Sequence, residues 1–420
     1  MYFPPAGGGG VQRPLKFATH LPSLGIETHV LAPTDPKWIH RDEETALPPD
    51  AIVHRARFLG PRARKAAEEL HGLEGGSRLL RRASLTGRRL LLPDASVTWN
   101  LTAVPEAIRI VRRERIDVVV TTSPPSSVHL VGAAVRRATG TPWVADLRDS
   151  IVAHPHRRAE SGAVRVKEQA EHAMARLVAR RADAIVAVSG AIAGEMRALV
   201  PRGRVVEIAN GSDFDDFAGL EYAPGTRFRI THAGSFFGKR DPRPFLTALG
   251  RPEFADVTAR FVGDFRASDR DWVAAQGIAD RVSLVPYAPR ATSLELQRDS
   301  EALLLLIPEA GGRGRGVLSG KVFEYLAAER PILALVPPDG AAAELVRASG
   351  AGVVVAPGDV DGIARELAGL RRRWLAGALE TPRLGPEWRQ RISREARVRE
   401  LADLLRTVVE APSRAPSARA

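Results

Sequence analysis

ALLLLIPEAGGRGRGVLSGKVFEYLAAERPILALV, residues 302–336, passes from an apolar run through a glycine-rich loop into a helical stretch and out into a second apolar run. Neither ALLLLIP nor PILALVP is long enough for a buried helix, and both are bounded by turn formers. A pair of such runs joined by a helix predicts parallel strands covered on both faces. The same rhythm runs in both directions from this stretch. FRITHAGS, ARFVGDF, VSLVPYA and GVVVAP repeat it in the second half, and THVLAP, AIVHRA, DVVVTTS, PWVADLRD, DAIVAVS and RVVEIAN in the first. The expected class is α/β, with two doubly wound Rossmann-like domains.

Between the two sets lies NGSDFDDFAGLEYAPGT, where acids and turn formers displace the apolar period. The expected divisions are an N-terminal domain over 1–209, a hinge linker over 210–226 and a second domain over 227–384. A C-terminal helix follows over 385–410, then a tail over 411–420 too poor in apolar groups to pack. The glycine-rich turn starts within a few residues of Met1, so the first strand looks truncated. Either it is reduced to residues 1–4 or the true start lies upstream, and the second is expected.

At 420 residues, two cores are expected, because single cores rarely grow past roughly 250 to 300 residues. No run approaches the ~18 uncharged apolar residues of a membrane-spanning helix. The absence of cysteine and of a secretory-type N-terminus predicts a cytoplasmic setting. A net charge of +12 calls for nucleic acid, an anionic membrane face, a phosphorylated substrate, or no more than an arginine-rich background composition. Nucleic acid is not expected, since aromatics are few and the common recognition motifs are missing. Residues 55–92 interleave Arg78, Arg81, Arg82, Arg88 and Arg89 with leucines. That pattern suits either an anionic membrane surface or an ordinary amphipathic helix with solvated arginines.

Several loops carry candidate chemistry. Gly7–Gly10, with Gly9 and Gly10 entering a helix that carries Arg13, can bring backbone amides and a positive helix end to an anion, or can be a plain flexible turn. Ser123 follows DVVVTTS and leads into a helix with His129. Asp146, Arg148 and Asp149 follow PWVADL, with His154 and His156 beyond. Ligands of open α/β sheets bind outside the carboxyl ends of the strands, so these loops should border one crevice. A carboxylate there can hold or deprotonate an acceptor hydroxyl, or can simply form an Asp–Arg pair that fixes the loop. In the second half Ser235 ends a strand before Lys239 and Arg240. Beyond them Gly316, Val317, Ser319 and Gly320 lead to Lys321 and Glu324. Loop amides and cations match diphosphate oxygens, and a carboxylate one turn into the helix can accept two ribose hydroxyl bonds.

In this order, PPAGGGGVQR, ADLRD, ADAIVAVS, RVVEIANGSD, ITHAGSFFGKR, ARFVGDF and SGKVFEYLAAERPIL resemble glycosyltransferase family 4 over residues 1 to about 408. The resemblance implies a GT-B fold, two Rossmann-like domains facing each other across a cleft, and a sugar-nucleotide-dependent, retaining enzyme. It places the donor mainly on the second domain and the acceptor on the first, with the last helix crossing back. Glu324 matches the family's ribose-binding glutamate, Arg240 stands for a phosphate-binding lysine, and Lys321 belongs to an S-x-K-x-x-E donor loop. Gly316 stands where many members carry a glutamate for the donor sugar, and Ser235 where many carry an arginine. Backbone contacts from Gly316 and Val317 are expected instead.

The donor-side set is thus Gly9, Gly10, Ser235, Arg240, Gly316, Val317, Ser319, Gly320, Lys321 and Glu324. The acceptor-side set is Arg13, Ser123, Asp146, Arg148 and Asp149. Arg240, Lys321 and Asp149 are the residues expected to act in the reaction. No metal and no cofactor are expected: the donor is a nucleoside diphosphate sugar, and DFDD at Asp213–Asp216 reads as linker. The acceptor would be a sugar, a lipid-linked or another hydroxyl compound of envelope polysaccharide, glycolipid or glycoconjugate synthesis, met at the inner face of the membrane. A sugar-nucleotide epimerase and a non-catalytic nucleotide-sugar-binding protein remain the alternatives.

Overall fold

The computed structural model describes residues 1–35, 40–60, 91–152, 162–236 and 238–411. Residues 61–90, which hold most of the basic cluster, lie outside the described residues, as do His154, His156 and residues 412–420.

Each of the apolar runs contains a strand. In the first half these are β1 Thr28–Pro33, β2 Ala51–Ala56, β3 Val119–Ser123, β4 Trp143–Leu147, β5 Ala184–Ala187 and β6 Arg204–Glu207. In the second half they are β7 Phe228–Ala233, β8 Val257–Val262, β9 Val282–Val285, β10 Ala302–Leu306, β11 Ile332–Leu335 and β12 Gly352–Val355. The helices are α1 Gln12–His20, α2 Asn100–Arg113, α3 Val128–Thr139, α4 Gly162–Arg181, α5 Gly190–Arg197, α6 Arg243–Leu249 and α7 Ala267–Ala275. They continue with α8 Arg290–Arg298, α9 Gly320–Ala327, α10 Ala341–Ser349, α11 Val360–Leu375, α12 Pro386–Ile392 and α13 Arg394–Glu410.

The second-half sheet has the order β12-β11-β10-β7-β8-β9 and is parallel throughout. Its strands show why their sequences are continuously apolar. Along β10, Ala302, Leu304 and Leu306 enter one core while Leu303 and Leu305 enter the other, and β11 divides Leu333 and Leu335 from Ile332 and Ala334 in the same way. A period of two with a core on each side leaves no solvent face to encode. The chain leaves β7 toward β9, then returns through β10 on the other side of β7. The switch point therefore lies between β7 and β10, where open sheets bind ligands.

The first half divides into a four-stranded parallel sheet, β3-β4-β5-β6, and a separate parallel pair, β1-β2. Residues 1–4 form no strand but lie among these elements: Met1 packs with Leu31, Ala56 and Val119, and Phe3 with Val30 and Ala32. One face of the four-stranded sheet is covered by α4 and α5, through Ala175, Val178 and Ile192. The other is covered by α1 and by α13, whose Val398, Leu401, Leu404, Leu405 and Val408 pack on Val144, Ala184 and Val186. The last helix is thus part of the first half's core.

Two strands of chain cross between the halves side by side: the Ser212 amide donates to the Ile392 carbonyl at 2.8 Å and the Arg394 amide to the Ser212 carbonyl at 3.2 Å. Residues 210–226 are packed as well as linking. Phe217 is buried in the second half's core, and Lys16 reaches Asp213 at 2.6 Å. A linker-like composition hides this, because the partners of these acids lie far away in sequence.

Candidate functional site

The carboxyl ends of both sheets open on one cavity of about 810 Å³. Pro124, Arg148, Asp149 and Ala209 line it from the ends of β3, β4 and β6, and the Gly7–Gly10 turn brings the start of α1 to the same space. Opposite them stand Gly234 and Ser235 after β7, Gly263 after β8, Tyr287 after β9, and the loop from Gly311 to Lys321 after β10. Gly9, Gly10, Ser235, Arg240, Gly316, Val317, Ser319, Gly320, Lys321 and Glu324 all line this one cavity.

Arg240 is 6% exposed and held by carbonyls, its Nη1 donating to Ser235 at 2.9 Å and its Nε to Leu306 at 3.3 Å. Burial, reinforced by the nearby Arg266 charge, pulls the guanidinium down to about 10. Lys321 sits at the start of α9, where the Ser319 hydroxyl caps the helix by accepting from the Lys321 amide at 3.4 Å. Its chain passes over Gly234, which has φ +132°, and a Cβ there would stand 2.2 Å from Lys321 Cε. Glycine at 234 is therefore a condition of the lysine's placement. The same two cations act on His232, which is buried with Nδ1 2.8 Å from the Leu304 carbonyl. Burial first, then Lys321 and Arg240, hold it well below its usual range and keep it neutral. The walls at the switch point thus carry concentrated positive charge beside the start of α9, an arrangement suited to a diphosphate.

Glu324 lines the cavity and is held by cations that its sequence neighbourhood does not contain. Arg290 Nη1 stands 2.7 Å from Oε1, and Arg394 Nη2 stands 3.6 Å from the same oxygen. Burial raises the carboxyl, but the charges of Arg290 and Arg394 outweigh it and hold Glu324 below the usual glutamate range. Arg290 also bonds Asp216 Oδ2 at 2.7 Å, and Lys16 and Arg394 complete the cluster around Asp213 and Asp216. Asp213 and Asp216 of the DFDD segment are therefore paired with arginine and lysine from three parts of the chain.

The acceptor-side expectations divide. Asp149 is exposed and lines the cavity. Asp146 does not line it: this carboxylate is fully buried, with Arg13 Nη2 at 2.8 Å and the Thr122 hydroxyl at 2.7 Å. A carboxylate stripped of water persists only when paired, and here the pairing consumes it. Arg13 is consumed with it, since its remaining donors go to the Ala209 and Ile208 carbonyls at 2.9 and 3.0 Å. Ser123 is 2% exposed within β3, and His129 is buried against Thr121 at 2.8 Å, with burial lowering it to about 4. Arg148 reaches the cavity wall, but its guanidinium donates to the Gly10, Ser123 and Pro124 carbonyls and so staples the glycine turn to the loop after β3. The Asp–Arg pair that fixes the architecture is Arg13 with Asp146, 133 residues apart.

Sequence reasoning missed the residues that close the cavity. His40 stacks on Tyr287 at 4.2 Å between ring centroids and lies 2.8 Å from Asp264, while Asp42 Oδ2 is 3.3 Å from the Arg290 amide. Glu195 also lines the cavity; burial raises its carboxyl, and a hydrogen bond from Ser150 partly offsets that shift. None of these has a motif. At the far wall a Cβ on Gly316 would stand 2.7 Å from Ala191 Cβ, and the Gly316 carbonyl accepts from Ser189 at 3.0 Å. The two halves touch at this glycine.

Among the described residues, no helix is long and apolar enough to cross a membrane, and no group of three or more His, Cys, Asp or Glu stands in a metal-holding arrangement.

Residues 8–211 match the family model of the glycosyl transferase 4-like domain. No curated protein sequence matches the chain at a significant level. Among solved structures, sucrose-phosphate synthase from Thermosynechococcus elongatus is similar with a TM-score of 0.67 at 15% identity, over 97% of this chain and 95% of that one. A glycosyltransferase from Rickettsia africae is similar with a TM-score of 0.60 at 12% identity, over 96% of each chain. An α,α-trehalose-phosphate synthase (UDP-forming) from Burkholderia vietnamiensis gives 0.55 at 12% identity, over 75% of this chain and 78% of that one. Residues 8–211 therefore form a glycosyl transferase 4-like domain, and over nearly its whole length the chain has the GT-B fold of the first two of these proteins.

Proposed function

We propose that the protein transfers a hexose-like unit from a nucleoside diphosphate sugar to an acceptor hydroxyl, with retention of anomeric configuration. The observation that carries this is the convergence of Arg240, Lys321 and Glu324 on one cavity facing the Gly7–Gly10 turn. As the bond to the diphosphate breaks, negative charge grows on the leaving oxygens. Arg240, Lys321 and the amides at the start of α9 are the groups that meet it, without a metal. Such preorganised donors act most strongly where water is excluded, as at the buried Arg240. Asp149, an exposed carboxylate on the first-half wall of the cavity, would receive the acceptor hydroxyl. Front-face departure and attack on the diphosphate side need no protein nucleophile, and family resemblance is the support for retention. The arginine- and leucine-rich sequence of residues 55–92 is the support for an envelope acceptor, a sugar or a lipid-linked hydroxyl compound, met in the cytoplasm at the membrane's inner face.

The test is a titration of UDP-, GDP- and ADP-sugars against wild type and Glu324→Ala, the UDP-sugars first because one similar enzyme is described as UDP-forming. Loss of a paired ribose contact should weaken binding by about 1 to 3 kcal/mol. Unchanged affinity would place the nucleotide elsewhere. Conversion of the donor in the absence of acceptor would identify an epimerase instead.

A further inference from the structure

A glutamate on a helix surface has several side-chain rotamers open to it, and a carboxylate that samples them all must be ordered before it can hold a ribose diol. Glu324 does not stand loose. Arg290 Nη1 fixes Oε1 at 2.7 Å, and Arg394 approaches the same oxygen at 3.6 Å, so Oε2 is the oxygen left to face a ligand in the cavity. Arg290 is itself fixed: its Nη2 donates to Asp216 at 2.7 Å, and it begins α8 directly behind the Tyr287–Pro289 turn.

We propose that Arg290 is the positioning residue for nucleotide recognition, holding Glu324 with Oε1 committed to its guanidinium and Oε2 presented to the two ribose hydroxyls of a nucleoside diphosphate. The proposal rests on Glu324 being the ribose ligand. A second consequence follows from charge. A bare carboxylate beside a diphosphate would repel it, and the guanidinium 2.7 Å away cancels that repulsion without occupying the hydroxyl-binding oxygen. Lysine could supply the charge but not a fork that spans Glu324 and Asp216 together.

The test compares UDP with 2′,3′-dideoxy-UDP by calorimetric titration of the full chain, substituting the ADP or GDP pair if one of those binds more tightly. Wild type should prefer the ribose form by about tenfold or more. Glu324→Gln should erase the preference, Arg290→Gln should reduce it nearly as far, and Arg290→Lys should restore part of it. If Glu324→Gln erases the preference while Arg290→Gln leaves it whole, Arg290 has no positioning role and the ribose assignment stands. Equal weakening of both nucleotides in Arg290→Gln would show a merely structural role, and tighter binding would show that Arg290 competes with ribose; either result overturns the proposal. A wild type without preference, or without affinity for any of the three diphosphates, overturns both it and the ribose assignment. Should Arg290→Gln fail to fold, Arg290→Lys carries the test, with a partly reduced preference expected and an intact one refuting.

Discussion

Replacing Arg13 with methionine separates an architectural from an acceptor-binding role for the residues around β4. In the structure Arg13 supplies three contacts of 2.8 to 3.1 Å to Asp146, a carboxylate with no exposed surface, and two more donors to the ends of the chain after β6. Removing one member of a buried pair leaves the other charged, dry and unpaired, at a cost of about 3 to 5 kcal/mol. That is a large part of the ~5 to 15 kcal/mol that holds a typical domain folded. Arg13→Met should therefore shift the urea transition of the first half markedly. Nucleotide affinity, whose proposed ligands stand mainly on the second half, should change little at temperatures where the variant is folded. Since paired charges can often be exchanged for apolar groups of similar volume, Arg13→Met with Asp146→Leu should recover most of the loss. An unshifted transition combined with collapsed turnover would refute the reasoning and return Arg13 and Asp146 to the acceptor.

Truncation before Arg394 uncovers Val398, Leu401, Leu404, Leu405 and Val408, about 7 to 15 kcal/mol of burial at ~1.5 to 3 kcal/mol each. Limited proteolysis should then degrade the first half, and a protected fragment spanning residues 1–209 would contradict the shared core. Lys321→Met should lower kcat by about 10² to 10³ with a smaller change in KM if the lysine meets charge developed in the transition state; an effect confined to KM would mark it as a ground-state contact. Because the folded pKa of Glu324 is depressed, its ion pair is fully present above the ordinary glutamate range and is lost only as pH falls through the depressed value. The affinity difference between wild type and Glu324→Gln should accordingly hold constant from pH 7 to 5, and a difference that halves by pH 5.5 would contradict the geometry.

The strands were legible because a sheet covered on both faces writes itself as unbroken apolar runs, as in ALLLLIP and PILALVP. The grouping at the start of α9 was legible because its parts are local: Ser319, Lys321 and Glu324 share one turn of helix and its cap, so their spacing alone brings them together. The same locality made Asp146, Arg148 and Asp149 look like one cluster. In the fold Asp146, still within β4, is buried on Arg13 and Thr122, whereas Arg148 and Asp149, beyond the end of the strand, line the cavity.

What the sequence determined by itself was the α/β class and the grouping of Ser319, Lys321 and Glu324 at one helix start, both properties of contiguous residues. Only the tertiary structure decided that Arg13 spends its charge on Asp146, that α13 completes the first half's core, and that Arg290 and Arg394 take hold of Glu324. These depend on pairings across 133, roughly 250 and 34 to 70 residues, and a side chain's choice among distant partners is set by which groups burial deprives of water, a quantity that no local pattern carries.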